Sequence, residues 1–385
     1  MNESPAVPAA ESAGGARKPR VAVVFGGRSS EHAISCVTAG SVLRAIDRDK
    51  YDVVPVGIAR DGRWVLESGD PERLRIGAGP DALPSVDETR ALVTLSRDGS
   101  STDLVVTDPS APPQTLGEVD VVFPLLHGPW GEDGTIQGML EMAGVRYVGA
   151  GVLASAVGMD KAFMKVVLKE AGLPVLPWVT ITTRDWERDP QACRDRAAEL
   201  GYPLFVKPAR GGSSFGISKA HDATELDACL EEAHRHDPKA LLEVSAEGGR
   251  EVECGVLQAL DGTAETSLPA ELRVGGDHEF YDFAAKYLPG EHTEIDVPAD
   301  LPDEVVAELR AMAGRAFEVV GCEGLARVDF FYMPDGSLVV NEINTMPGFT
   351  PTSMYPQMWA ASGLDYPALV DRLIQLALQR GTGLR

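Results

Sequence analysis

Two apolar runs late in the chain carry the clearest pattern. LARVDFFYM (325–333) and SLVVNEIN (337–344) are rich in β-branched and aromatic residues and flank Pro-Asp-Gly, which predicts a β-hairpin. The strand period of two puts Arg327 and Asp329 on one face, and Glu342 and Asn344 on one face of the partner. Earlier, VAVVFGG (21–27) reads as a buried strand ended by glycines, and a helix follows over 28–46, capped by Ser29 or Ser30. Strands at 52–59 and 119–128, short strands over 60–118, a helix from Gly134 and a strand near 145–151 complete an open α/β sheet. Such sheets gather ligands at the carboxyl ends of their strands. Beyond lie a long helix over 153–171, a strand at 177–182, helical sequence over 184–200, and the strand LFVKP (204–208) leading into a glycine-rich loop. An amphipathic helix over 223–236 follows, then a strand ending at Glu243 and another starting at Glu251. A helix over 301–320 precedes the hairpin. A last helix carries Leu369, Val370, Leu373, Leu376 and Ala377 as its core stripe.

Composition narrows the partners. The formal net charge of −23 argues against nucleic acid or an anionic membrane surface, since both need a basic footprint. It leaves room for a nucleotide, because a few cleft lysines suffice to hold phosphate. No apolar run approaches the length of a membrane span. The five cysteines are scattered and form no CxxC pair, a pattern of buried thiols in a reducing cytoplasm. Residues 1–19, rich in Ala, Pro, Ser and Gly, read as a disordered tail without a secretory apolar region.

Several charged positions interrupt apolar runs and so point to chemistry. Asp329, Glu342 and Asn344 offer two carboxylates and an amide oxygen, a hard-oxygen set suited to magnesium on nucleotide phosphates. Arg327 beside them could neutralise a transferring phosphoryl group. Lys207 ends its strand before a loop with Gly211, Gly212, Ser213, Ser214 and Gly216, in which backbone amides and a point charge suit a phosphate lid. The order of Gly and Lys differs from a Walker A loop. Glu243 and Glu251 are acceptors placed to read a base and a ribose. Glu31, at the sheet's carboxyl edge, suits a substrate ammonium, and His127 follows a buried strand beside a glycine-rich loop. The aromatic stretch at 278–292, with Lys286 and Tyr287, reads as a lid.

Together GGRSSEHAIS, LLHGPWGEDGTIQGMLE, MDKAFMK, VKPARGGSSFGISK, EFYDFAAKY, ARVDFF and NEINTMPGFTPTS resemble the D-alanine–D-alanine ligases of the ATP-grasp superfamily. The resemblance runs from about 20 to 380 and weakens across 60–118. It implies an α/β three-domain ATP-grasp fold: an N-terminal open-sheet domain over 20–150, a central domain over 151–243 and a C-terminal domain over 244–385. It also implies ATP, two Mg²⁺ ions (with Mn²⁺ able to substitute), a cytoplasmic homodimer, and ligation of two D-alanines through a D-alanyl phosphate for peptidoglycan precursors. Carried over by motif, Glu31 holds the first substrate's ammonium near His127, and Ser213 and Tyr287 join Glu31 in a network that orders the lids. Lys161 and Lys207 bind phosphates, Glu243 the adenine and Glu251 the ribose. Asp329, Glu342 and Asn344 hold the metal ions, and Arg327 with the Gly348 amide stabilises the oxyanion. Lys286 contacts the transferred phosphoryl and Ser353 the second substrate's carboxylate.

Val244 stands where many such ligases have lysine, and Phe215 replaces a smaller apolar residue. The nearest rival reading is a D-alanine–D-lactate or D-serine ligase of the vancomycin-resistance type. Tyr287 favours an amine acceptor, because the lactate-forming relatives lack a tyrosine there. A non-catalytic nucleotide-binding regulator would be expected to have lost a metal ligand, Arg327 or Ser213, and none is lost. An ATP-grasp ligase for another acid and amine is disfavoured by the intact Glu31, Ser213 and Tyr287.

Overall fold

The computed structural model describes residues 17–77, 83–95, 101–108, 110–212, 215–274 and 293–382. Three sheets organise them. The first comprises β1 (Arg20–Gly26), β2 (Asp52–Ile58), β3 (Trp64–Leu66), β4 (Leu92–Leu95), β5 (Asp103–Thr107), β6 (Gln114–Glu118), β7 (Val121–Pro124) and β8 (Arg146–Tyr147), in the order β6-β5-β4-β3-β2-β1-β7-β8. β1 pairs in parallel with β2 and β7, and Val21 to Phe25 are buried as expected of a strand covered on both faces. The helix α1 (His32–Ala45) follows β1, and α2 (Thr135–Met142) follows β7. Neither Ser29 nor Ser30 caps α1. Glu31 is the cap residue, and the Ser29 hydroxyl instead accepts the Glu31 N–H at 3.1 Å. Residues 17–19, assigned to the tail from sequence, are anchored through Arg17 to Asp120 at 2.6 Å and Lys18 to the Arg48 carbonyl at 2.9 Å.

The expected long helix over 153–171 is two helices, α3 (Val152–Met159) and α4 (Lys161–Glu170). Asp160 breaks them: its backbone turns extended and its carboxylate accepts the N–H groups of Ala162 and Phe163, each at 3.2 Å. The hydrophobic period runs through this point, but an aspartate capping a new helix outweighs continuing the old one. The same competition splits 184–200 into α5 (Thr183–Arg188) and α6 (Pro190–Leu200), where Asp189 caps a helix whose first residue is proline. The strand β9 (Trp178–Thr182) precedes them. With β10 (Leu204–Pro208), β11 (Ser218–Ala220) and β12 (Lys239–Val244) it forms an antiparallel sheet, β11-β10-β12-β9, backed by α7 (Leu226–His236).

The third sheet holds β13 (Arg250–Gln258), β14 (Ala264–Thr266), β15 (Ala270–Val274), β16 (Thr293–Asp296), β17 (Leu325–Tyr332) and β18 (Leu338–Asn344). α8 (Asp303–Val320) packs on it through Val305, Leu309, Ala313, Ala316, Phe317 and Val320, a helical stripe closed by Gly321 in the left-handed conformation. Two helices, not one, end the described chain: α9 (Met354–Ala361) and α10 (Tyr366–Gln379). Leu369, Val370, Leu373 and Ala377 of α10 are buried with Ile374, whereas Leu376 is half-buried.

α10 reaches the sheet that precedes it in sequence through Arg372, which donates to Glu265 of β14 at 2.7 Å, but its apolar stripe turns elsewhere. It joins α1 beneath the first sheet, so one core contains Val23, Phe25, Phe123 and Leu373. Phe349 inserts there too, with its ring 6.0 Å from Phe123 and 5.5 Å from Tyr366. Burial of that ring ties the loop after β18 to the carboxyl ends of β1 and β7. The candidate site forms at this junction.

Candidate active site

The β17–β18 register is the one the alternating pattern requires. Arg327 lies opposite Asn344 and Asp329 opposite Glu342, with a bulge just beyond. Arg327 donates from Nε and Nη2 to the two oxygens of Asp329, both at 2.7 Å, and lies 2.8 Å from Glu253 on β13. Burial alone would lower the arginine's pKa, but Asp329 and Glu253 outweigh it and hold the guanidinium firmly charged. Glu342 pairs with Lys161 at 3.3 Å, and Asn344 accepts the Met346 N–H at 3.2 Å.

Among the described residues no three His, Cys, Asp or Glu side chains gather into a ready-made metal cage. What the hairpin offers is two carboxylates and an amide oxygen on adjacent strands. That set fits magnesium, which commonly uses one or two carboxylates and takes its remaining oxygens from water and substrate phosphates.

A single cleft of about 720 Å³ is lined by every described candidate from the sequence: Glu31, His127, Lys161, Lys207, Glu243, Glu251, Arg327, Asp329, Glu342, Asn344, Gly348 and Ser353. Ser213, Lys286 and Tyr287 lie outside the described residues.

At one end of the cleft, Glu31 is buried under two glycines of other segments, Gly128 and Gly212. Gly128 has φ of +71°, and a side chain there would collide with the Glu31 carboxylate and the Ser29 hydroxyl. His127 is buried, and its Nδ1–H donates to the Met346 carbonyl at 3.2 Å, which leaves Nε2 to accept from Thr38 at 3.3 Å. Burial lowers its pKa against the opposing pull of Glu31, so the imidazole is neutral. Glu132 was not singled out from sequence. Its carboxyl accepts the backbone N–H groups of Gly128 and Met346, while burial and the neighbouring Glu31 raise its pKa to about 8. Gly348 and Ser353 face this end, and the Ser353 hydroxyl lies 2.8 Å from that of Thr350.

At the other end, Lys207 at the close of β10 pairs with Glu243 of β12 at 2.8 Å. Glu243 also pairs with Lys165, one turn beyond Lys161 on α4. Burial would raise the Glu243 carboxyl, but the two lysines outweigh that and hold it below the usual range. Lys165, with 1% of its surface exposed, was also missed from sequence. It ends the motif MDKAFMK, but its i, i+4 spacing from Lys161 normally marks a solvated face. Lys161 donates to the Gly211 carbonyl at 2.9 Å and so touches the glycine-rich loop. Phe205, Leu176 and Val244 give this end an apolar wall.

Comparison with known proteins decides the ancestry. Residues 20–150 match the family model described as "D-ala D-ala ligase N-terminus", and 167–375 match "D-ala D-ala ligase C-terminus". The chain belongs to the D-alanine–D-alanine ligase family. A D-alanine--D-alanine ligase from Pseudarthrobacter chlorophenolicus is 60% identical, over 96% of this chain and 97% of the relative. One from Streptomyces griseus is 58% identical, over 96% and 95%. Among solved structures, the D-Ala:D-Ser ligase VanG from Enterococcus faecalis superposes with a TM-score of 0.81 at 35% identity, covering 94% of this chain and all (100%) of that one. The D-alanine-D-alanine ligase from Coxiella burnetii superposes with a TM-score of 0.77 at 37% identity, covering 94% of each. The fold is that of the ATP-grasp D-alanine–D-alanine ligases, as the resemblance implied. Among the described residues no helix is long and apolar enough to cross a membrane.

Proposed function

We propose that this member of the family joins two D-alanine molecules into D-alanyl-D-alanine, converting ATP to ADP and phosphate, for a peptidoglycan precursor made in the cytoplasm. One observation carries the reading. A single cleft combines a buried carboxylate for an ammonium, lysines for phosphates, a hard-oxygen set, and an arginine beside a glycine-bearing loop.

Glu31 takes the ammonium of the first D-alanine and so aims its carboxylate at the γ-phosphorus of ATP. One carboxylate oxygen attacks, ADP leaves, and D-alanyl phosphate forms. Lys161 and Lys207 neutralise the polyphosphate, and Glu251 accepts from the ribose. Asp329, Glu342 and Asn344 would hold two magnesium ions, for which manganese can substitute. When bound, these ions would offset charge on the phosphates. Lys286 contacts the phosphoryl group in transit. The amine of the second D-alanine, whose carboxylate Ser353 receives, then attacks the acyl carbon. Arg327 and the Gly348 N–H stabilise the oxyanion of the tetrahedral adduct. Phosphate leaves as the C–O bond breaks, and the network of Glu31, Ser213 and Tyr287 receives the proton lost by the amine. The acyl phosphate survives only if water is kept out, which gives the lids their purpose. The reading includes a homodimer.

The likeness to a D-Ala:D-Ser ligase keeps one alternative acceptor in view. Phosphate release is measured with ATP, Mg²⁺ and D-alanine, alone and with D-lactate or D-serine, and products are weighed by mass spectrometry. D-alanyl-D-alanine as the main product in each mixture supports the reading. A depsipeptide or a mixed D-serine dipeptide as the main product would overturn it.

A further inference from the structure

The nucleotide end of the cleft contains a charge that no step above uses. Lys165 is 1% exposed, as is its partner Glu243. Lys165 and Lys207 engage different oxygens of that carboxylate, Oε1 and Oε2. The two lysines differ in one respect that matters: Lys207 and Glu243 line the cleft, and Lys165 does not. A bound nucleotide can therefore replace Lys207 at Oε2 but cannot reach the lysine at Oε1.

We propose that Lys165 is a positioning residue that fixes Glu243 as an acceptor for an exocyclic amino group, and so sets a preference for adenine over 6-oxo purines. This rests on the reading of Glu243 as the residue that meets the base. A methionine would fill the space of Lys165 without the penalty of burying a charge, so packing alone does not call for lysine. A carboxylate held at one oxygen by a cation that cannot leave is an acceptor only, in one orientation. When Lys207 turns to the phosphates, Oε2 presents a single bare acceptor to the base edge. Adenine offers an N–H donor at that edge, whereas inosine and guanosine offer a carbonyl, and two acceptors facing each other repel. Without Lys165, Glu243 either takes up a proton and loses its selectivity, or retains Lys207 and withholds it from the phosphates.

The test uses the full-length enzyme with Mg²⁺ and compares kcat/KM for ATP and for inosine triphosphate. Wild type is expected to prefer ATP by about a hundredfold or more, and Lys165→Met to lose about tenfold of that preference. The loss falls on KM for ATP, with KM for D-alanine unchanged. Lys165→Arg, which keeps the charge, retains most of the preference. Should Lys165→Met fail to fold, Lys165→Gln removes the charge with a polar side chain and is expected to lose the preference too. A purely structural role would lower the melting temperature and leave the ATP-to-inosine triphosphate ratio untouched. A folded Lys165→Met or Lys165→Gln enzyme with the full wild-type ratio overturns the inference alone. A wild type with no preference for ATP overturns it together with the assignment of Glu243 to the base.

Discussion

A methyl group added at Gly212 separates a functional constraint from a structural one. A Cβ there would lie 2.9 Å from Glu31 Oε2, and its other near contacts are Cδ and Oε1 of the same carboxyl, at 3.6 and 3.7 Å. Contact at 2.9 Å is closer than a methyl tolerates, and the atom that must retreat is the tip of a flexible side chain. The backbone at Gly212 is not left-handed, so alanine fits it and trims the entropy of the unfolded chain, a gain of about 0.4–1 kcal/mol. The fold should therefore hold while Glu31 is pushed away from a substrate ammonium. A hydrogen bond to a charged group contributes about 1.5–3 kcal/mol, so Gly212→Ala is expected to lose about 10–150-fold in kcat/KM for D-alanine. Gly211→Ala is the control, because its nearest contact is the Pro208 Cβ at an ordinary 3.4 Å, and its activity should stay within about twofold of wild type. Phosphate release at saturating ATP with D-alanine varied, beside thermal melts of all three proteins, gives both readouts. Wild-type kcat/KM in Gly212→Ala would refute the reasoning. So would equal losses in the two variants, which would assign the effect to the loop as a whole.

Asp329→Asn removes one hard oxygen and half of the bidentate partner of Arg327; kcat should fall at least about a hundredfold and the Mg²⁺ requirement should rise. An unchanged Mg²⁺ titration of phosphate release would contradict the metal assignment. Glu132 gives a pH dependence whose sign follows from its raised pKa: the unfolded chain releases that proton near 4.5, the ligand-free fold keeps it to about 8. The stabilisation is complete below about 4.5 and lost as pH climbs to about 8. Glu132→Gln should flatten that part of the melting-temperature profile, and an identical slope in the variant would rule the group out. Gly255→Ala drives a methyl to within 2.9 Å of Trp359 Nε1 and 3.2 Å of Ser267 Oγ, deep in the core. Overpacking of this kind costs about 1–3 kcal/mol, to be read from urea unfolding, and an unmoved midpoint would show that the core yields freely.

What was legible in the sequence follows the range of the forces involved. Arg327, Asp329, Glu342 and Asn344 could be placed from alternation alone, because the strand period is local and the turn between them is explicit. The break at Asp160 is local too, yet it was masked by a hydrophobic period that continues on both sides, and only the aspartate's capping bonds reveal it. Lys165 and Glu132 were out of reach for another reason. Each owes its character to partners distant in sequence: Glu243 on β12 for the lysine, and Glu31 with Met346 for the glutamate. The role of α10 was half visible, since its apolar stripe predicts burial but not that the first sheet receives it.

The proposed mechanism turns on activation of the first carboxylate by phosphorylation within this cleft. D-alanine labelled with ¹⁸O in both carboxyl oxygens tests it directly, with the released phosphate analysed by mass spectrometry. If a carboxylate oxygen attacks the γ-phosphorus and the amine later breaks the acyl C–O bond, each phosphate formed with D-alanyl-D-alanine carries one ¹⁸O. Phosphate without label, formed alongside the dipeptide, would contradict the account.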